Sequence, residues 1–374
     1  MKKVVMVAWS TVTQYPPVVN MALHLASNGY RVRMHCLGPE ATEQPAWASG
    51  SIVLVRYGEH SHNGFEMYRI VRRMSKAIRE DVKDANCLVL HSFQSFAIWA
   101  FIRFAGVTCP VLYCAHEFSP ASTSTLLHRV PKIYERRLAR YCVVTVPDPW
   151  RVPLHHFELG LTDIPYVVRN CPLLRKEIPN TSTHSLDERF APGDMSPVGY
   201  CGRISPVTGI PMMIDAFKRH AGRFHLHLLG PIDPSFLHEF DVAIRAAGPN
   251  VVTYHGCVPY DHVEVFLSHC DYGILFYDGH SLNTAYCAPG KLFEYISRGL
   301  PVLASPLPGL RDVIESRHLG WCFPSNDLDG IDAVLKECKS GPEVATMRQF
   351  CIDAHRQEYN YEAQLAPVLR HLHI

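Results

Sequence analysis

One segment of the chain, residues 283–301, combines residue types that suit the binding of a phosphorylated ligand. Pro289 and Gly290 are typical of a helix start, Gly299 suits a left-handed cap at its end, and Pro301 cannot continue it. The first turn of such a helix presents free backbone N–H groups and a partial positive charge. The segment therefore predicts a two-turn helix whose N-terminus is an anion site able to hold a diphosphate.

Two charged side chains of this helix have a spacing that fits a nucleotide. Lys291 adds a full positive charge at the N-terminal end. Glu294 lies one turn later on the same face, where its carboxylate can accept both hydroxyls of a ribose. The same spacing also fits an ordinary i,i+3 surface ion pair between Lys291 and Glu294, and the residues alone leave both interpretations open.

The string N-x5-P-G-K-L-F-E-Y-I-S-R-G-L-P-V, residues 283–302, resembles the donor-binding segment of GT-B glycosyltransferases of the large retaining family four, glycosyl transferases group 1. Gly199–Ile204 is similar to this family's glycine–arginine strand end, Val252–Val258 to its base-binding turn, and Ala115–Glu117 to the step whose histidine faces the donor sugar. The resemblance covers nearly the whole chain. It implies two Rossmann-like doubly wound α/β domains that face each other across a cleft, and a retaining hexosyltransferase.

The resemblance also implies roles for individual residues. Catalytic roles fall on His116, Arg203 and Lys291. The donor-binding set is Gly202, Arg203, Thr208, His255, Val258, Asn283, Tyr286, Pro289, Gly290, Lys291, Leu292 and Glu294. The acceptor side comprises Ser10, Thr11, Thr13 and Glu117.

Three positions depart from the family pattern. Thr208 stands where a lysine is usual, Tyr286 stands where a second glutamate is usual, and residues 10–13 read Ser-Thr-Val-Thr in place of a Gly-Gly loop. These departures bear on the donor sugar, on the strength of diphosphate binding and on catalytic efficiency.

The residues that match suit transfer from a nucleotide-diphosphate sugar, with UDP favoured, to a carbohydrate or lipid-linked glycan acceptor, without a metal or another cofactor. Negative charge builds on the departing diphosphate, and the catalyst must stabilise it at a fixed position. Arg203, Lys291 and the helix start at Gly290 supply positive charge there. We interpret the D-x-D string at Asp327–Asp329 as a helix cap, and the paired histidines lack companion zinc ligands. Without a Walker loop or a G-x-G-x-x-G fingerprint, kinases and dehydrogenases are disfavoured.

Short apolar runs that alternate with helical segments predict parallel sheets in both halves of the chain. We expect an acceptor-side domain at 1–176, a polar linker at 177–197, a donor-binding domain at 198–350, and a helix at 351–374 that crosses back to the first domain. The predicted strands are 4–8, 32–37, 52–55, 87–90, 111–114, 143–146, 198–201, 225–229, 251–254, 272–276, 301–304 and 320–323.

Charge is divided unevenly along the 374 residues. Residues 1–186 hold 21 Lys+Arg and 13 Asp+Glu, so +8, whereas residues 187–374 hold 15 and 22, so −7, which sum to the net +1. Basic residues line two predicted helices, at 69–79 and 129–140. They favour either plain solvated faces or contact with an anionic membrane, which would suit a lipid-linked acceptor. Nucleic acid is disfavoured because exposed aromatics do not alternate with these residues.

We expect a cytoplasmic protein, on the inner face of the membrane if it docks there. The 13 cysteines form no C-x-x-C pair and lie mostly in apolar strings, as in a reducing compartment. The apolar run 4–9 is shorter than a signal-peptide core. Arg103 and Pro110 interrupt the longest apolar stretch, so that it is a poor membrane span.

Two other functions use the same architecture. A nucleotide-sugar 2-epimerase also binds UDP but needs acids near the sugar, and Tyr286 removes one of them. A non-catalytic subunit that binds nucleotide sugars is the second alternative, which the replacements at Thr208 and Tyr286 make conceivable.

Overall fold

The computed structural model divides the chain into two compact units. Unit 1 comprises residues 1–173 and 361–374, and unit 2 comprises residues 174–360. The structure describes residues 2–12, 15–40, 43–45, 47–48, 50–61, 63–103, 107–120, 126–174, 190, 195–258, 260–338 and 342–374. Most of the predicted linker, including 177–189, and the acceptor-side residue Thr13 lie outside these ranges.

Unit 1 contains a parallel seven-stranded sheet in the order β3-β2-β1-β4-β5-β6-β7. Its strands are β1 (Lys3–Thr11), β2 (Arg31–Leu37), β3 (Ile52–Arg56), β4 (Cys87–His91), β5 (Val111–Cys114), β6 (Val143–Val146) and β7 (Tyr166–Val167). Its helices are α1 (Pro16–Ser27), α2 (Gly64–Asp81), α3 (Ser95–Arg103), α4 (Leu126–Leu138) and α5 (Arg151–Leu159).

Unit 2 repeats the same strand order in a parallel six-stranded sheet, β10-β9-β8-β11-β12-β13. Its strands are β8 (Ser196–Cys201), β9 (Phe224–Leu229), β10 (Val252–Tyr254), β11 (Tyr272–Leu275), β12 (Val302–Ala304) and β13 (Gly320–Cys322). Its helices are α6 (Ile210–Arg219), α7 (Leu237–Ala247), α8 (Tyr260–Ser268), α9 (Leu282–Ala285), α10 (Gly290–Ser297), α11 (Pro308–Ser316), α12 (Leu328–Glu337) and α13 (Pro342–Gln357). The last helix of the chain, α14 (Tyr361–Leu372), belongs to unit 1.

Both sheets are buried on their two faces, which is why the strands read as nearly continuous apolar runs. In unit 1, one core lies under α2 and α3, and the other lies under α1 and α14. In each unit the first three strands are added toward one edge of the sheet and the fourth strand pairs on the other side of the first, which is the strand order of a doubly wound Rossmann-like fold. The predicted fold class of two such domains is confirmed.

Four details differ from the sequence predictions, and the first is the short strand β7, which was not predicted. The return to unit 1 begins at Tyr361 instead of 351, because α13 packs against α10 of unit 2. Ser10 and Thr11 belong to β1 and not to a loop, since Thr11 pairs with Leu37 after a shift in register. Lys132 is not part of a basic surface, because it is buried and its Nζ lies 2.6 Å from a Glu135 carboxylate oxygen. In the described part of the chain, no helix combines the length and apolarity needed to span a bilayer.

Candidate donor-binding site

The residues predicted to hold a diphosphate gather at the carboxyl ends of β8 and β11 in unit 2. The sheet order reverses between these strands, and ligands of doubly wound sheets bind at such a point. Gly202 and Arg203 directly follow β8, and α10 begins at Gly290 with Pro289 as its extended N-cap. Gly299, at φ +70°, occupies the left-handed position after α10, as predicted.

A buried tyrosine fixes α10 against the sheet. The Tyr295 hydroxyl accepts a 3.0 Å hydrogen bond from the Cys201 backbone N–H and donates a 3.4 Å bond to the Ile274 carbonyl. Only glycine fits at position 273, because a Cβ there would lie 2.2 Å from the Tyr295 ring. The position of α10 therefore depends on the Tyr295 hydroxyl and on the close packing of its ring against Gly273. Together they hold the start of the helix beside the end of β8.

Lys291 points from the first turn of α10 toward the end of β8. Its Nζ donates a 2.9 Å hydrogen bond to the Tyr200 hydroxyl, lies 4.1 Å from the centre of that ring and 5.5 Å from the centre of the Tyr277 ring. A Cβ on Gly202 would lie 3.0 Å from this ammonium, so glycine gives it room. No ion pair with Glu294 forms in the described part of the chain.

The charge of Lys291 is kept although the side chain is partly buried. Burial by itself disfavours the ammonium, but the phenolic oxygens of Tyr200 and Tyr277 favour it more strongly and raise the pKa of Lys291 above its usual value. Lys291 is therefore a permanent cation at neutral pH. It lacks a carboxylate partner among the described residues, so the charge is available to an anion.

Arg203 is the second cation at this edge. Its side chain is 68% exposed, and its guanidinium lies 4.0 Å from the Asp233 carboxylate, a weak surface contact. The Tyr200 hydroxyl donates a 2.7 Å hydrogen bond to the Arg203 carbonyl, so one tyrosine contacts both predicted phosphate-binding residues. Gly230 must also be glycine, since a Cβ there would lie 2.1 Å from the Gly202 carbonyl oxygen.

Three side chains of the predicted donor set are buried. Thr208 is buried, and its hydroxyl is bonded to Ser205 in both directions, at 3.0 Å from the backbone N–H and 2.7 Å to the carbonyl. His255 is buried, with its Nε2 3.0 Å from Nδ1 of His227. Leu292 is buried, and its backbone N–H donates a 3.2 Å hydrogen bond to the Pro289 carbonyl. Burial therefore leaves the side chains of Thr208, His255 and Leu292 little surface for a ligand.

Other members of the donor set remain accessible. Glu294 and Val258 are partly exposed, Asn283 lies on the short helix α9, and Tyr286 ends that helix. The Asp327 carboxylate accepts a 2.8 Å hydrogen bond from the Gly330 N–H and caps α12, so the interpretation of the D-x-D string as a cap is confirmed.

In unit 1, His116 is partly exposed just beyond the end of β5. Its Nε2 lies 2.9 Å from Nδ1 of His91, the last residue of β4. Burial, followed by the charge of Arg151, lowers the pKa of His116 to about 4, so its imidazole is neutral at pH 7. The acceptor-side residue Glu117 is exposed, and Ser10 is partly buried at the end of β1.

Sequence reasoning missed the residues that position the predicted ones: Tyr200, Tyr277, Tyr295 and His91. Each lies in or beside a strand or helix that was predicted, so the pattern marked it as ordinary core. The one signal in the sequence was that each of these residues places a polar atom within or next to an apolar run. A buried tyrosine hydroxyl needs a hydrogen-bond partner.

Comparison with known proteins agrees with this architecture. Residues 196–338 match the family model described as glycosyl transferases group 1. No curated protein sequence shows significant similarity to the chain.

Solved structures match over the whole chain at low identity. Sucrose-phosphate synthase from Thermosynechococcus elongatus is 15% identical with a TM-score of 0.74, covering 100% of this chain and 99% of its own. HepE from Anabaena, in complex with UDP and glucose, is 14% identical with a TM-score of 0.74, covering 100% of each chain. WaaG, a glycosyltransferase involved in lipopolysaccharide biosynthesis, is 14% identical with a TM-score of 0.67, covering 98% of this chain and 99% of its own.

Residues 196–338 of unit 2 thus match the group 1 glycosyltransferase model, and the fold of the whole chain is that of the GT-B glycosyltransferases. The resemblance predicted from residues 283–302 is confirmed.

Proposed function

We propose that this protein is a retaining, metal-independent hexosyltransferase that uses a nucleotide-diphosphate sugar. The carrying observation is that the Lys291 ammonium, unpaired with any carboxylate in the described residues, lies beside Gly202 at the start of α10. With the helix N-terminus and exposed Arg203, it places positive charge where a departing diphosphate needs it. UDP is the favoured nucleotide because HepE, a structure of the same fold, holds UDP.

In this proposal unit 2 binds the donor and unit 1 supplies the acceptor contacts. The acceptor is a carbohydrate or a lipid-linked glycan. The donor nucleotide is bound at its diphosphate by the α10 N-terminus and Arg203, and at its ribose by Glu294. Metal is not required, because cationic side chains and backbone N–H groups take its place in stabilising the leaving group.

The direct test is calorimetric titration of the purified protein with UDP and with GDP. We expect binding of UDP, and a clear loss of affinity in Glu294→Ala but none in Glu239→Ala, an exposed carboxylate on α7. No binding of either nucleotide would refute the proposal. Incubation with UDP-GlcNAc alone, followed by NMR, detects an epimerase, and binding without turnover on an acceptor panel indicates a non-catalytic subunit.

We also propose that unit 1 contacts an anionic membrane surface through α4. The described part of this helix exposes Val130 at 55% and Ile133 at 49%, between exposed Arg129, Arg136 and Arg137. Exposed apolar side chains flanked by cations are typical of helices that lie in the headgroup layer, where each cation contributes about 1 kcal/mol. The occupant we expect is the lipid surface that carries the acceptor, on the cytoplasmic side.

Vesicle co-sedimentation tests this contact. Binding to phosphatidylglycerol-containing vesicles, absent with pure phosphatidylcholine, should fall in the double variant Ile133→Ser/Arg136→Gln. The matched control is Val242→Ser/Arg245→Gln, which likewise replaces an exposed β-branched apolar residue and an arginine three positions later, here on α7 in unit 2. Equal loss in both variants, or no binding by the wild type, would exclude the α4 surface.

A further inference from the structure

Two imidazoles lie next to each other at the carboxyl ends of β4 and β5. The roles predicted above do not explain why they are paired. The register of the two strands places His91 opposite Cys114, and His116 follows two residues later. The His91 Nδ1 and His116 Nε2 atoms are 2.9 Å apart, the ring planes differ by 8°, and the ring centres are 5.3 Å apart. That separation equals the N–N distance plus two ring radii, so the rings lie edge to edge in one plane.

This geometry is a hydrogen bond and not a chelate. The Cys114 thiol also lies within 4.8 Å of ligand atoms of both histidines, which makes the cluster a candidate for a metal ion. A tetrahedral zinc ion, however, needs lone pairs that converge on one point. Here the two nitrogens face each other along a line, as an N–H donor and its acceptor do.

The surroundings of His91 decide which ring carries the shared proton. His91 is 1% exposed, and its Nε2 is buried without a hydrogen-bond partner in the described part of the chain. Burial lowers the pKa of His91 well below its usual value, and His116 lowers it further, so the ring is neutral. A proton on Nε2 would be a buried N–H without an acceptor, whereas a proton on Nδ1 is bonded to His116.

The other ring then has only one possible tautomer. If His91 donates from Nδ1, Nε2 of His116 is the acceptor, and the proton of neutral His116 is on Nδ1. His116 itself is partly exposed and lines a pocket with Pro17, Thr145 and Asn170 at this end of the sheet. The backbone of His116 is held in place, since its carbonyl accepts a 2.8 Å hydrogen bond from Arg151.

We propose that His91 is a positioning residue that holds His116 as its Nδ1–H tautomer, so that this N–H donates a hydrogen bond to a hydroxyl oxygen of the sugar substrate. The inference deepens the proposed function and rests on it for the identity of the substrate. The tautomer itself is a property of unit 1 and is measurable without any ligand.

Two substitutions separate positioning from simple support of the fold. His91→Asn retains an N–H donor near the place of Nδ1, whereas His91→Leu removes it and keeps an apolar side chain of similar size. Long-range ¹⁵N–¹H correlation spectra of the protein labelled in histidine, with His116→Gln for assignment, report which nitrogen is protonated. We expect Nδ1–H in the wild type and in His91→Asn, and a shift toward Nε2–H in His91→Leu.

Activity should follow the tautomer. A lost hydrogen bond of about 1.4 kcal/mol corresponds to a roughly tenfold fall in kcat/KM, expected for His91→Leu with substantial rescue in His91→Asn. UDP affinity should stay unchanged in both, because the proposed UDP site lies in unit 2. If neither the wild type nor the variants bind UDP, the proposed function is refuted. The spectra would still show which nitrogen of His116 carries the proton.

Several results would overturn the inference. Protonation of wild-type His116 on Nε2 contradicts it directly, and so does a tautomer that does not respond to His91→Leu. Equal loss of kcat/KM in the Asn and Leu variants would assign His91 a structural role only. Stoichiometric zinc binding that Cys114→Ser abolishes would replace the hydrogen bond by a metal site.

Discussion

Replacing Lys291 by methionine tests the charge at the centre of the candidate site. Methionine keeps most of the length of the side chain and removes only the ammonium. Because Lys291 has no carboxylate partner among the described residues, its loss leaves no uncompensated anion, and Tyr200 retains its 2.7 Å hydrogen bond to the Arg203 carbonyl. The lost Lys291–Tyr200 hydrogen bond destabilises the fold, whereas removal of a partly buried ammonium stabilises it, so we expect the free energy of unfolding to change by less than about 1.5 kcal/mol.

The effect on the donor should be much larger. A hydrogen bond to a charged group contributes about 1.5–3 kcal/mol, and about 1.4 kcal/mol is a factor of ten in affinity, so the Kd for UDP should rise roughly 10- to 150-fold. Since the pKa of Lys291 is raised above its usual value, the wild-type contribution should persist throughout the neutral range. Calorimetry with UDP, UMP and uridine should show the effect shrinking as phosphates are removed.

Lys336→Met is the matched control for this experiment. Lys336 is a 66% exposed lysine of unit 2 whose Nζ lies 2.5 Å from an Asp332 carboxylate oxygen. Its loss should leave the Kd for UDP unchanged and should also leave the salt dependence of binding as in the wild type. A change of less than threefold in Lys291→Met, or an equal effect on uridine and UDP, would refute the assignment of this ammonium to the diphosphate.

Three further changes test how the site is supported. Tyr295→Phe leaves the buried Cys201 N–H without its acceptor. It should lower the free energy of unfolding, measured by urea titration, by about 1–3 kcal/mol. A loss of less than roughly 0.5 kcal/mol would mean that the hydroxyl does not hold α10 in place. Asp327→Ala removes the cap on the Gly330 N–H and should lower the free energy of unfolding by about 0.5–2 kcal/mol. The affinity for UDP should stay unchanged with or without Mg²⁺. A loss of UDP affinity that appears only with Mg²⁺ would instead assign Asp327 a role in metal binding. Burial, reinforced by neighbouring histidines, lowers the pKa of His227 to about 2, so this residue binds a proton only in the unfolded state as the pH falls below about 6.5. Its share of the resulting loss of stability is about 1.4 kcal/mol per pH unit, so His227→Leu should reduce the slope by that amount in unfolding titrations between pH 7 and 5, with the other buried histidines, such as His91 and His116, keeping theirs. An unchanged slope would contradict this prediction.

The predictions that came closest to the structure rest on local chemistry. The apolar runs from Val4 to Phe323 mark the strands, because a parallel sheet buried on both faces requires them. Pro289, Gly290 and Gly299 set the limits of α10, because the first and last turns of a helix have their own backbone requirements. The cap at Asp327 is equally local. The strand positions, the limits of α10 and the resemblance to a glycosyltransferase segment could therefore be predicted from neighbouring residues.

Side-chain partners were decided by the tertiary structure alone. The hydrogen-bond acceptor of Lys291 is Tyr200, which lies 91 residues earlier in the sequence, and the partner of His116 is His91, which lies 25 residues earlier. Thr208 matches a ligand-contacting position of the family by spacing, yet it is buried and bonded within its own turn. The physical reason is that strand order and register determine which side chains meet at the end of a sheet. Neither periodicity nor capping chemistry carries that information, so the candidate ligand residues could be predicted but the residues that orient them could not.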